Sequence, residues 1–288
     1  MSGNSNIRAI VRGAYDIQKL RIQTGLRIVA TFKKKLGQEP STKETELDTE
    51  AKKLLAELRV YYQRITDGIA ECKGRKLKQF KGEGLIDSLS EYALIDQYEH
   101  LAKTEHEQFA FLEQMLKEAP IYNEFLLKVI GVGPAMAGVI ISEIDIAKAK
   151  YASSIWKYAG LDVVDGKGRS RKAEHLVDVE YKTKEGEVTT RKSITFNPFL
   201  KTKLVGVLGA SFLRCKNSPY RTIYEGYKHR LENHPDHQEK TKGHRHNMAI
   251  RYMIKMFLKD LYIEWRTLEG LPVAPDYAEA KLGLKHAA

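Results

Sequence analysis

The chain has 288 residues, 42% of them hydrophobic and 30% charged, which supports a packed core and excludes wholesale disorder. Its 48 lysines and arginines stand against 37 aspartates and glutamates, a formal net charge of +11 that favours polyanionic partners, because neutralised phosphates release counterions. Cys72 and Cys215 fit no metal-ligand spacing, and the chain shows neither a secretion signal nor a run of about 18 apolar residues, so reduced thiols, a cytoplasmic location and no membrane partner are expected.

Apolar residues at three- and four-residue steps (Ile7, Ile10, Val11, Ala14, Ile17, Leu20, Ile28, Phe32) predict a long helix over 6–36, ended by Gly37 and Pro40. A second long helix is expected over 43–73, then a basic connector from Cys72 to Gly82, then helix over 85–118 with a candidate break near Lys103. Pro120 marks a change of composition. Alternation through Val177, Val179 and Tyr181, then Val188, Ile194 and Phe196, around the turn Lys184-Glu185-Gly186-Glu187, predicts a β-hairpin of 175–183 with 187–196. Helices over 199–215, 218–233 and 244–268 follow, with a polar loop at 234–243.

The segment from Leu126 to Ile141 carries most of the functional signal. Its order is a helix, the apolar-Gly-apolar-Gly turn through Gly131, Val132 and Gly133, then a second helix starting at about Pro134 with the small residues Ala137 and Gly138 packed close. This is the pattern of a helix–hairpin–helix. Gly131 and Gly133 are expected to supply positive φ and to let a phosphate reach the backbone. Pro134 suits the first helical position, Val132 is expected to anchor the turn inward, and the helix start would face an anion with free N–H groups. Such a grip reads no bases. The alternative is a tight helix–helix turn without a ligand.

Residues 124–214 resemble the C-terminal domain of the insertion-sequence 110/116/902 transposase group. The matching stretches are Val129–Ile141, Ser142-Glu143-Ile144-Asp145-Ile146, Ser153–Leu161 and Phe196–Leu204. The resemblance implies DNA recombination and transposition by a mobile element, with a serine nucleophile shortly after the Ala-Gly-Leu element. Ser170 is its best positional match. The family's N-terminal RNase-H-like domain, which supplies carboxylates for metal ions, has no counterpart in the sequence. The first 100 residues are helical in period, and Asp16 reads as a surface helix residue. Mg2+ enters the expectation only with nuclease or recombinase activity.

Other candidate chemistry weighs less. His234, His237, His244 and His246 have spacings open to zinc, but no cysteine accompanies them, and a polar helix start near phosphate is the favoured reading. Tyr220, Tyr224 and Tyr227 form a helical stripe read as core rather than as a stacking platform. Asp162 and Asp165 flank a glycine turn, and Glu143 and Asp145 lie near the hairpin.

The expected fold is mainly α, with a long-helix, coiled-coil-like region over 1–119 and a helix–hairpin–helix domain with a small β-hairpin insertion over 120–288. The expected function is a DNA-binding, transposase-like protein; a non-catalytic nucleic-acid-binding or recombination-accessory module is the alternative. Gly131, Val132, Gly133, Pro134, Lys167, Arg169, Arg171, Lys172, Arg245 and Arg251 are the expected nucleic-acid contacts, and Ser170 the candidate nucleophile. Arg245 or Arg251 would give it electrophilic support. Partners are DNA or structured RNA, and a second copy through the N-terminal helices.

Overall fold

The computed structural model describes residues 2–53, 55, 56, 86 and 88–275, and they form a mainly helical fold with small two-stranded hairpins. They separate into two compact units, one within 9–111 and the other formed by 2–8 with 112–275. The division falls within the helix over 89–116, so that Leu112 and Leu116, both buried, belong to the second unit. The remainder of the helix expected over 43–73, and the connector from Cys72 to Gly82, lie outside the described residues.

In the first unit, residues 9–35 of α1 (Ser2–Lys35) and 89–111 of α2 (Leu89–Leu116) pair antiparallel. Tyr15 meets Phe109 edge-on at 5.7 Å, Arg21 bonds Glu105 and Tyr98, and Lys35 bonds Glu91 at 3.1 Å. Ile28, Phe32, Leu47, Ala51, Leu55, Ile86 and Ile95 form the core between them. Gly37, at φ 72, ends α1 as expected of a glycine just past a helix. The next helical segment starts later than its periodicity suggests. Residues 44–46 form a 3-10 turn, and the Asp48 carboxylate accepts from the Ala51 amide at 2.7 Å, capping a helix that opens there. α2 is unbroken at Lys103. It opens with a reciprocal cap: the Ser88 hydroxyl accepts from the Glu91 amide at 3.2 Å, and the Glu91 carboxylate accepts from the Ser88 amide at 3.4 Å.

The second unit contains α3 (Pro120–Glu124), a 3-10 turn (Leu126–Lys128), α4 (Pro134–Glu143) and α5 (Ala152–Tyr158). A short ladder of β1 (Val163–Val164) with β2 (Lys167–Gly168) follows, turned by Asp165 and Gly166 at φ 49 and 73. Two positive φ values define the two-residue hairpin turn that suits the strand twist. The predicted hairpin is present as β3 (Val177–Lys182) against β4 (Val188–Ser193), with Val179 opposite Arg191. Pro198–Thr202 (α6), a π-helical stretch (Lys203–Leu208) and α7 (Gly209–Arg214) form one continuous helical run. α8 (Pro219–Asn233) and α9 (Lys242–Leu268) complete it.

α9 is the spine of this unit. Ala249, Ile250, Met253, Ile254, Phe257, Leu258, Leu261 and Trp265 are buried at three- and four-residue spacing, the apolar stripe its sequence carries. Phe257 meets Phe212 and Tyr220 at 5.4 Å each, so α7, α8 and α9 share one aromatic cluster. Truncating Phe257 to alanine there would cost about 3–5 kcal/mol. Tyr220 and Tyr224 are buried, and Tyr227 stacks on Tyr252 at 4.0 Å, so the tyrosine stripe packs inward.

Candidate functional site

The glycine turn between the Leu126–Lys128 turn and α4 is closed by a Val132 amide bond to the Val129 carbonyl at 3.0 Å. Gly131 has φ 103, and a β-carbon there would lie 2.7 Å from Phe212 Cδ1. The Ser211 hydroxyl also donates to the Gly131 carbonyl at 2.8 Å, so α7 pins the turn. Gly133 differs from expectation. Its φ of −100 and ψ of 171 are extended values open to any residue. A β-carbon at Gly133 would meet nothing within 4 Å. The space over Gly133 is therefore open, and no side chain caps the helix that begins at Pro134. Helix starts leave their first N–H groups without intrahelical partners, and the helix dipole adds positive potential there. Val132 is half-buried, while Leu127 and Ile130 beside the turn are exposed.

A second cluster forms where the loop after β2 meets α6 and α9. Gly160, at φ 65, ends α5 and leaves room for the buried Phe196 ring. The chain then presents Asp162, whose two carboxylate oxygens accept from Arg169 Nε at 2.9 and 2.8 Å. Arg169 also donates to Thr195 Oγ1 at 2.8 Å, tying the loop to the returning end of the hairpin. Lys201 from α6 and Arg251 from α9 both donate to the Arg169 carbonyl. Gly168 permits this, because a β-carbon there would coincide with the Arg251 guanidinium.

Ser170 follows directly. Its amide and its hydroxyl each lie 2.9 Å from Nδ1 of the buried His175. The amide can only donate, so Nδ1 is an acceptor, and the hydroxyl also donates to it. The imidazole proton therefore resides on Nε2, which lies 3.9 Å from the Glu174 carboxylate. The hydroxyl oxygen in turn accepts from the Lys172 amide at 3.3 Å.

The electrostatics of this cluster are one-sided. Arg169, Lys201, Arg251 and Lys255 surround the single carboxylate of Asp162, which Arg169 already occupies. Burial, reinforced by Arg251, Arg169 and Arg171 and opposed by Asp162, pushes the Lys201 amine down to about 8. Burial also lowers Arg251 and Lys255, with Asp162 opposing in both cases. Lys255 caps the Trp156 ring at 5.4 Å, and Lys201 the Phe196 ring at 4.7 Å. A divalent metal does not fit here: its oxygen donors would be one carboxylate already chelated by Arg169, ringed by cations. Among the described residues, no three His, Cys, Asp or Glu side chains converge as metal ligands.

The remaining candidates spread out. Lys167, Arg171 and Lys172 are exposed on the Ser170 loop, with Lys167 3.5 Å from Glu174. Arg169 faces inward onto Asp162 and Thr195. Arg245 donates to the carbonyls of His237 and Gln238, so it orders the loop before α9 and stands apart from Ser170's partners. His246 Nδ1 meets the Tyr224 hydroxyl at 2.6 Å, and His234 accepts from the Asp236 amide at 3.3 Å. Asp145 pairs with Lys148 at 3.1 Å on the surface, whereas the Glu143 side chain is buried beneath Asn197 (2.6 Å) and Arg8 (3.4 Å). Asp165 is a turn residue; Asp162 is the Arg169 anchor. Sequence reasoning passed over His175, Lys201 and Lys255. Only Lys201 carried a local signal, standing four residues past the helix cap Asn197.

The two clusters stand at opposite ends of one helix pair. Gly131 precedes α4 and touches α7 at Ser211 and Phe212. Glu143 ends α4 and bonds Asn197, which caps α6 through the Leu200 amide at 3.0 Å. α4 itself, ten residues long, spans about 15 Å. No family model, curated protein or solved structure matches the chain. Among the described residues, no helix is long and apolar enough to cross a membrane.

Proposed function

We propose that the chain is a nucleic-acid-binding protein of transposase type, gripping the DNA backbone without reading sequence. One observation carries this reading. The α4 start is uncapped, and the space over Gly133 is open to an anion. The net charge of +11 and the exposed Lys167, Arg171 and Lys172 support it. The test is fluorescence anisotropy with random-sequence duplex DNA across a salt series, alongside single-stranded DNA and structured RNA. Gly133→Val should weaken duplex binding at least tenfold, because its branched side chain fills the approach to the helix start, while an extended φ tolerates it. Unchanged affinity in a folded Gly133→Val protein would falsify this reading.

Recombination chemistry is the more specific form of the proposal, favoured by the hydroxyl of Ser170 at 2.9 Å from an accepting imidazole. Ser170 Oγ would attack a backbone phosphorus, forming an Oγ–P bond as one P–O ester bond breaks. The hydroxyl proton would pass to His175 Nδ1, and the departing sugar oxygen would take a proton from solvent. A covalent protein–DNA adduct that disappears in Ser170→Ala supports this. Binding without adduct, on duplexes carrying the element's own ends, leaves the non-catalytic accessory module.

A further inference from the structure

We infer that Lys201 and Arg251, with Arg171 at the rim and Ser170 alongside, seat one backbone phosphate, a contact separate from the glycine turn and resting on the reading that this chain binds nucleic acid. The argument begins with unmatched charge. Two cations from different elements donate to one neutral carbonyl, that of Arg169. A carbonyl oxygen offers lone pairs but no charge, and the carboxylate of Asp162 is already bound by both of its oxygens to Arg169. Half-buried cations lacking a counterion are costly, and a phosphodiester supplies both the charge and the acceptor oxygens. Its oxygens are stronger acceptors than a peptide carbonyl, and Arg251 presents a planar fork suited to them. Lys201, Arg251 and Ser170 are each part-exposed, so the seat opens to solvent. The phosphate would lie beside the residue that holds the hydroxyl, toward the α6 end of the helix pair and away from the glycine turn.

The charged groups facing Lys201 are Asp162 from the turn after α5, Arg169 and Arg171 from the loop, and Arg251 from α9, with Lys255 one turn further on facing Asp162 and Arg251. Of these, Lys201, its amine pushed down to about 8, changes charge between pH 7 and 9. The experiment uses the full chain, a labelled 20-base-pair random duplex, salt from 50 to 200 mM, and both pH values. Lys201→Met should weaken binding about tenfold and reduce the salt slope by about one unit, as the loss of one phosphate contact requires. Wild-type affinity should fall several-fold from pH 7 to pH 9, and Lys201→Arg should abolish that fall. If wild type binds and Gly133→Val weakens it, yet Lys201→Met and Arg251→Met keep the wild-type salt slope, the seat is wrong and the general reading stands. If Lys201→Met does not fold, a wild-type affinity equal at both pH values overturns the seat by itself. A wild-type chain that binds no duplex overturns both.

Discussion

The ring of Phe212 occupies the space that a side chain at Gly131 would need, with 2.7 Å between its Cδ1 and the position of such a β-carbon. The turn is therefore built by α7 as much as by its own glycines. Its two glycines have different tasks: Gly131 is required by the fold, and Gly133 leaves an approach open. Gly131→Ala should cost about 2–4 kcal/mol, combining left-handed strain with overpacking. Gly133→Ala should stay within about 0.5 kcal/mol of wild type. Urea denaturation midpoints of the two variants measure this. Equal losses would mean that the turn has a different geometry.

Asp162 and Arg169 form the anchor of the Ser170 loop, with side chains 23% and 12% exposed. Asp162→Asn leaves Arg169 charged, desolvated and poorly matched, which should destabilise by about 2–3 kcal/mol. It also removes the charge that holds the Lys201 amine up, so Lys201 should titrate lower in the variant. An NMR titration of the lysine Cε resonances checks the direction. An upward or absent shift would place Asp162 too far from Lys201 to matter.

The depressed Lys201 amine has a stability consequence of definite sign. Its folded value of about 8 lies below the ordinary 10.5 of the unfolded chain. Between those values the unfolded chain holds more protons, so this group makes stability rise with pH across that window. Below pH 8 it is charged in both states, and the burial penalty is fully present. In the free protein, Lys201→Met should therefore gain on wild type at pH 7, by about 1 kcal/mol after solvent screening, and lose that advantage by pH 10. Thermal or urea unfolding at pH 7 and pH 10 reads the difference. A gap that widens with pH would contradict the assigned burial.

The reciprocal cap at the start of α2 gives an independent check on the first unit. Ser88→Ala removes the acceptor for the Glu91 amide and should cost about 1 kcal/mol, with faster hydrogen exchange confined to the first turn of α2. Ser88→Asp, which keeps an acceptor at that position, should restore most of it. Loss of protection along the whole helix would show instead that α2 owes its stability to this one turn.

Periodicity located the long helices because each reports its own buried face through local spacing. The stripe over 6–36 became Ser2–Lys35, 218–233 became Pro219–Asn233, 244–268 became Lys242–Leu268, and the alternating segment became the β3–β4 hairpin. Misjudged details depended on hydrogen bonds that spacing does not encode. Asp48 rather than Lys43 opens a helix, α2 runs through Lys103, and the run from 198 to 214 passes through a π-helical stretch.

Fold class, the glycine turn and the basic character of the chain were written in the sequence, since composition, local period and the conformational freedom of glycine are properties of neighbouring residues. Which glycine is structural, and which basic residues share a pocket, only tertiary packing decided. Phe212 reaches Gly131 from 81 residues away, and Arg251 reaches the Arg169 carbonyl across 82. His175 lies five residues from Ser170, yet only the loop's fold aims its ring at that hydroxyl. Contacts that close such separations arise from the shape of the whole core, and no local pattern of residue types records them.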